Sequence, residues 1–174
     1  RYQNLSIKEA EKLLHSPLHE ERLLSLFILI YHFNKADNDK QEAIYRLYLK
    51  STKFINNWDL VDVTAKFIPG AFLLNRDKDV LYKLAKSKDM WERRIAILST
   101  FHFIEKGRFG DTLRIARLLL KDKEDLLHKA VGWMLREVGK RDLKTEEDFL
   151  KKNYKSMPRT ALRRSAAAIP SIST

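Results

Sequence analysis

A chain of 174 residues that is 44% hydrophobic and 33% charged, with only five Gly and four Pro, is long enough for one domain with a sizeable core. That composition excludes a disordered chain and a turn-rich β protein, and the lack of cysteine excludes a disulfide framework, an iron–sulfur cluster and a thiol nucleophile. The net charge of +11 points to a polyanionic partner, and a cysteine-free chain fits a cytoplasmic location.

Residue 1 is Arg, and nothing at the start resembles a signal peptide. Ser6-Ile7-Lys8-Glu9 has the form of a capping box and predicts a short helix to about Leu14. Ser16-Pro17 reads as an N-cap followed by a first-turn proline, opening an apolar helix over Glu20–Asn34. Its longest apolar run, Leu23 to Phe33, falls well short of the ~20 residues that a membrane helix needs, so it reads as a core helix. Further helical patterns run over Gln41–Ser51, Trp58–Phe67, Lys78–Ala85, Trp91–Glu105, Thr112–Leu120, Asp125–Gly139 and Thr145–Lys152, with another helix opened by Pro158. No segment sustains the two-residue period of a strand, and the short gaps imply antiparallel helix hairpins.

The expected fold is therefore all-α, one domain spanning residues 1–174. Arg22, Trp58, Arg94 and Ala130 share an offset of 36 residues at the starts of the longer helices, the period of a HEAT-like α-solenoid. A bundle of evenly sized helices would produce the same spacing. In a solenoid, Trp58, Arg94 and Trp133 come from equivalent helices of successive units and line one concave wall. Helical spacing sets Trp58 beside Asp62 and Trp133 beside Arg136 on common faces. Either tryptophan alone reads more readily as core; the joint pattern suggests a surface for a flat, cationic or sugar-like ligand.

Charge is uneven along the chain. Lys and Arg outnumber Asp and Glu by 14 to 11 over residues 1–87 and by 20 to 12 over 88–174. Lys151 to Arg164 carries six cations and no carboxylate, a stretch suited to gripping a phosphate backbone, or simply to a solvated face. Phosphate loops, serine-hydrolase elbows and paired metal-ligand motifs are absent. His15 and His19 have a metal-compatible spacing, but Ser16-Pro17 starts a new helix between them, so no metal or other cofactor is expected.

Four segments, Asn57-Trp58-Asp59-Leu60-Val61-Asp62, Trp91-Glu92-Arg93-Arg94-Ile95-Ala96, His128 to Glu137 and Met157-Pro158-Arg159-Thr160, resemble in order the signature blocks of the AlkD-type DNA alkylation-repair glycosylases. The resemblance runs from about Asn57 to Arg163. It implies HEAT-like repeats around a concave basic groove, and a monomeric enzyme that excises cationic N3- and N7-alkylpurines from double-stranded DNA. On those matches Asp62 is the catalytic carboxylate, Trp58 and Trp133 contact the lesion-bearing nucleotide, and Arg94, Arg136, Arg159 and Thr160 hold phosphates. The family carries further N-terminal helices with an aromatic residue near the lesion, a role not assignable to Tyr2. It also continues differently after Arg163, where this chain has a tail interrupted by Pro170. The residues leave open a non-catalytic reader of distorted or branched DNA built on the same groove, and a protein-binding scaffold.

Overall fold

The computed structural model describes residues 5–166, and every regular element among them is helical. Tyr2 and the tail with Pro170 lie outside the described residues. The described residues form eleven α-helices: α1 (Ile7–Leu14), α2 (His19–Lys35), α3 (Asn38–Lys50), α4 (Trp58–Asp62), α5 (Ala71–Leu73), α6 (Asp79–Leu84), α7 (Met90–Glu105), α8 (Gly110–Leu119), α9 (Asp125–Gly139), α10 (Leu143–Asn153) and α11 (Arg159–Ala166). The Ser6 capping box is formed: the Glu9 amide donates to Ser6 Oγ at 3.3 Å and the Ser6 amide to Glu9 Oε2 at 2.8 Å. Asp37, Asp89 and Asp142 cap α3, α7 and α10 in the same manner, each accepting an orphan first-turn amide.

Two local expectations are corrected. Pro17 does not open the second helix: Ser16 Oγ accepts the Leu18 amide at 3.1 Å in a turn, and α2 begins at His19 with no side-chain cap. The pattern over Trp58–Phe67 is not one helix either. α4 ends at Asp62, and Lys66–Gly70 forms a π-helical turn that runs into α5. Pro69 lies inside that turn and has no amide to donate, and the Gly70 amide reaches back five residues to Ala65 O at 2.9 Å. Gly70 is needed there because a Cβ would lie 2.4 Å from Ser99 O of α7.

A local motif recurs at the helix starts and sets the phase of the repeat. Ser16 Oγ, Ser87 Oγ and Asp122 Oδ1 each accept the amide two residues ahead. A side chain six residues on then folds back to the same residue's carbonyl: Arg22 to Ser16 O at 3.0 Å, Arg93 to Ser87 O at 3.0 Å and His128 to Asp122 O at 2.7 Å. Arg22 and Arg93 are thus 71 residues apart and Arg93 and His128 35; the segment before α4 lacks the motif, since Asn57 caps α4 and Trp58 is its first residue. The counterpart of Arg22 is thus Arg93, not Arg94, and the next member of the series is His128, not Ala130.

α2, α4, α7 and α9 pack each on the next, with α1 and α3 against α2, α6 and α8 against α7, and α8, α10 and α11 against α9. Contacts follow chain order, as expected of units that stack on their neighbours. The buried core runs continuously from Ala10 and Leu14 through Leu60, Ile95 and Phe103 to Met134 and Ala161. Fully burying one such Leu or Phe contributes about 1.5–3 kcal/mol, so the wall that carries the exposed side chains rests on a well-filled interior. No helix among the described residues is long and apolar enough to cross a membrane.

Candidate active site

Asp62 is the last residue of α4, and Arg94 lies in the first turns of α7. Packing of α4 on α7 brings them together as a bidentate ion pair, Arg94 Nε to Asp62 Oδ1 at 2.7 Å and Nη2 to Oδ2 at 2.8 Å. Nη1 of Arg94 donates to the Leu126 carbonyl at the start of α9, so a single guanidinium ties three helices. The Arg94 side chain is 6% exposed and that of Asp62 17%. Each Asp62 oxygen retains a lone pair after accepting from Arg94, and the carboxylate keeps a face toward solvent.

That face opens into a concavity of about 400 Å³. Trp58 and Asp62 form one side of it, Trp133 and Arg136 another, and Leu126, Lys129 and Arg164 complete the lining. Trp58 is 55% exposed. Trp58 is the first residue of α4, its amide capped by Asn57, and its ring lines the cleft. Trp133 is half-buried, with Phe101 edge-on to it at 5.7 Å and 67°. The neighbouring Gly132 lets α11 approach α9: a Cβ there would lie 2.5 Å from Ala161 O and 2.8 Å from the Arg164 Cβ. That close approach carries Arg164 to the cleft.

The structure therefore brings together Trp58, Asp62, Arg94, Trp133 and Arg136. It does not leave Arg94 available for a phosphate, because burial and three hydrogen bonds commit the guanidinium to Asp62 and Leu126. Arg159 is exposed at the start of α11 and Thr160 half-buried beside it, and neither lines the cleft. The Asp125 carboxyl is held below its usual range first by its Lys129 partner, 2.7 Å away, and then by the Thr160 hydroxyl. Lys129 and Leu126 are not singled out by the sequence reading, and Arg164 enters it only as the end of the basic stretch Lys151–Arg164. The signal for Lys129 was present: Lys129, Trp133 and Arg136 fall four and three residues apart on one face of α9.

The adjoining arginine has a different task. Arg93 grips Asp122 with Nε at 2.6 Å and Nη2 at 3.2 Å, locking the loop before α9 to α7. Burial acts to raise the Asp122 carboxyl, and the Arg93 hydrogen bonds outweigh it, leaving it below the usual carboxylate range. His19 likewise pairs with Asp59 at 2.7 Å rather than with His15, which lies 3.4 Å from Ser51 Oγ. Among the described residues no three His, Asp or Glu side chains converge as metal ligands, and the cleft lining contains one carboxylate among four cations.

Residues 2–169 match the family described as DNA alkylation repair enzyme. No curated protein matches the chain. Among solved structures, one from Enterococcus faecalis described as a predicted DNA alkylation repair enzyme superposes with a TM-score of 0.75 at 18% identity, over 94% of this chain and 75% of that one. AlkD2 from Streptococcus mutans gives 0.69 at 20% identity, over 99% of this chain and 86% of its own. The smu.31 protein of Streptococcus mutans UA159 gives 0.66 at 22%, over 98% and 87%. At these identities the likeness is one of fold, and the family match over nearly the whole chain decides the assignment: this chain belongs to the family of DNA alkylation repair enzymes.

Proposed function

We propose that the chain is a monofunctional DNA glycosylase, one HEAT-like solenoid acting as a cytoplasmic monomer, that hydrolyses the N-glycosidic bond of cationic N3- and N7-alkylpurines in duplex DNA. The observation that carries this reading is the gathering of Asp62, Trp58 and Trp133 in one cation-lined cleft. An alkylpurine already bears positive charge, so cleavage of the bond from C1′ lets the base leave neutral and moves the charge onto the deoxyribose. The Asp62 carboxylate stabilises that oxocarbenium ion and orients a water, whose oxygen bonds to C1′ as its proton passes to the carboxylate or to solvent. Trp58 and Trp133 present their faces to the cationic base and sugar, about 0.5–2 kcal/mol each. The chemistry requires neither a metal nor a nucleophilic lysine. Lys129, Arg136 and Arg164 supply phosphate contacts, with Arg159 beyond the cleft extending the grip.

The Arg94 pair refines the role of Asp62. A bidentate guanidinium fixes the carboxylate's rotamer and so preorganises it, at the cost of offsetting part of its charge. That same offset is the observation favouring a second reading, a non-catalytic protein that binds distorted or branched DNA in this cleft.

Release of free 7-methylguanine from methylated duplex, measured under single turnover for the wild type and Asp62→Asn, separates the two. Asn keeps an acceptor for Arg94 and the side-chain volume. A fall of about a hundredfold with duplex binding retained supports the glycosylase; no release by the wild type, with salt-sensitive duplex binding intact, establishes the binder.

A further inference from the structure

Glu146, near the start of α10, is wholly buried, and neither carboxyl oxygen meets a hydrogen-bond donor within the protein. Its carboxyl packs on Gly139 of α9 so closely that a Cβ at that glycine would lie 1.6 Å from Oε2. One turn before Gly139 on α9 is Arg136, a lining residue of the cleft, whose Nε is likewise buried and without an acceptor. A buried acceptor and a buried donor, each unused, thus sit about a turn apart at the same helix interface. Leaving either alone is costly, which is the physical reason such pairs meet.

We propose that Glu146 is the positioning residue of Arg136: its carboxyl is the internal acceptor for Arg136 Nε–H and aims the two amino groups of that guanidinium into the cleft. The proposal rests on the reading of the cleft as a DNA site, since the ligand for those amino groups is a phosphate oxygen. Arg136 would then be a braced fork rather than a free side chain, so less conformational freedom is lost when it engages a phosphate.

The surroundings single out this pairing. On α9, Glu137 is already taken by Lys140 at 2.7 Å and Arg141 at 3.1 Å. On α8, Arg117 rests over the Phe149 ring, and on α10 itself Glu147 pairs with Lys151. Burial raises the Glu146 carboxyl to about 7, with the Arg136 charge acting to lower it and Glu147 to raise it. The brace is therefore sensitive to protonation near neutrality.

The test uses the full chain and two readouts. The ¹⁵N resonance of Arg136 Nε, followed from about pH 5 to about pH 9, should titrate with Glu146 in the wild type and stay flat in Glu146→Gln. Fluorescence anisotropy with an undamaged duplex should show Glu146→Gln, which keeps an acceptor, within about twofold of the wild type and Glu146→Leu about tenfold weaker. In an Arg136→Lys background, which lacks Nε, Glu146→Leu should add nothing. A flat Arg136 resonance in the wild type, or Glu146→Leu binding as tightly as the wild type, would overturn the proposal. If the wild type binds no duplex at low salt, the DNA reading falls, and the resonance titration by itself decides whether Glu146 positions Arg136.

Discussion

Arg94 holds both carboxylate oxygens of Asp62, at 2.7 and 2.8 Å, while its remaining amino group donates to the Leu126 carbonyl of the next helix. The residue that would do the chemistry is thereby also part of the joint between α4, α7 and α9. Stability and activity are coupled at this point, and variants of the pair must be read for both.

Removing one member leaves the other buried without its partner, which costs about 3–5 kcal/mol. Asp62 retains some solvent, so Asp62→Ala should cost the lower part of that range, and Arg94→Ala should add the loss of the Leu126 contact. Joint replacement, Asp62→Leu with Arg94→Met, should recover most of the stability while abolishing base release. Urea unfolding midpoints check this, and single variants with wild-type midpoints would show the pair to be solvated.

Gly132→Ala tests the seat of α11. With Ala161 O only 2.5 Å from the added Cβ, α11 must shift, costing about 1–3 kcal/mol, and Arg164 moves away from the cleft. Duplex binding should weaken, and the log–log salt slope should fall by about 0.9, the share of one phosphate contact. An unchanged slope alongside lowered stability would place Arg164 outside the DNA contact.

Much of this was legible in the sequence because local rules were obeyed. The Ser6 box, the span Asp125–Gly139 and the Pro158 helix start follow from capping and periodicity alone. The break after Asp62 was not legible, since apolar spacing continues through Pro69 and only the approach of Ser99 O to Gly70 explains the π turn. Repeat phase slipped by one residue between Arg22 and Arg93 for a related reason: the Arg93-Arg94 doublet offers two arginines, and only contacts distant in sequence assign one to Asp122 and the other to Asp62. The Glu146 environment is equally a product of packing; in sequence it is one acidic residue among several in a polar helix.

Glu146 predicts an unusual pH dependence of stability. Its folded pKa of about 7 lies above the ordinary 4.5, so between those values the native state binds more protons than the unfolded chain. Its contribution is fully present below about pH 4.5, declines as pH rises to about 7, and is constant beyond. Relative to the wild type, Glu146→Gln should therefore gain stability across that window, up to about 3 kcal/mol at pH 8. Melting curves of both proteins at several pH values check this, and a difference that does not change with pH would mean that Glu146 is solvated.

Trp58 and Trp133 should respond differently to truncation, because one is a surface ring and the other partly a packing element. Trp58 is 55% exposed, whereas Trp133 is half-buried against Phe101. Trp58→Ala should thus change stability by no more than about 0.5 kcal/mol while lowering 7-methylguanine release about tenfold. Trp133→Ala also forfeits the Phe101 contact and should cost about 2–3 kcal/mol in addition to its effect on release. Trp58→Arg is the sharper variant: at this exposed position it replaces the ring by a cation, which keeps an attraction for phosphate but repels a cationic lesion. Such a protein should match the wild type in stability to within about 0.5 kcal/mol and be as poor in base release as Trp58→Ala. If Trp58→Arg instead released base at the wild-type rate, the exposed ring would have no part in binding the lesion, and the cleft would work through Asp62 and Trp133 alone.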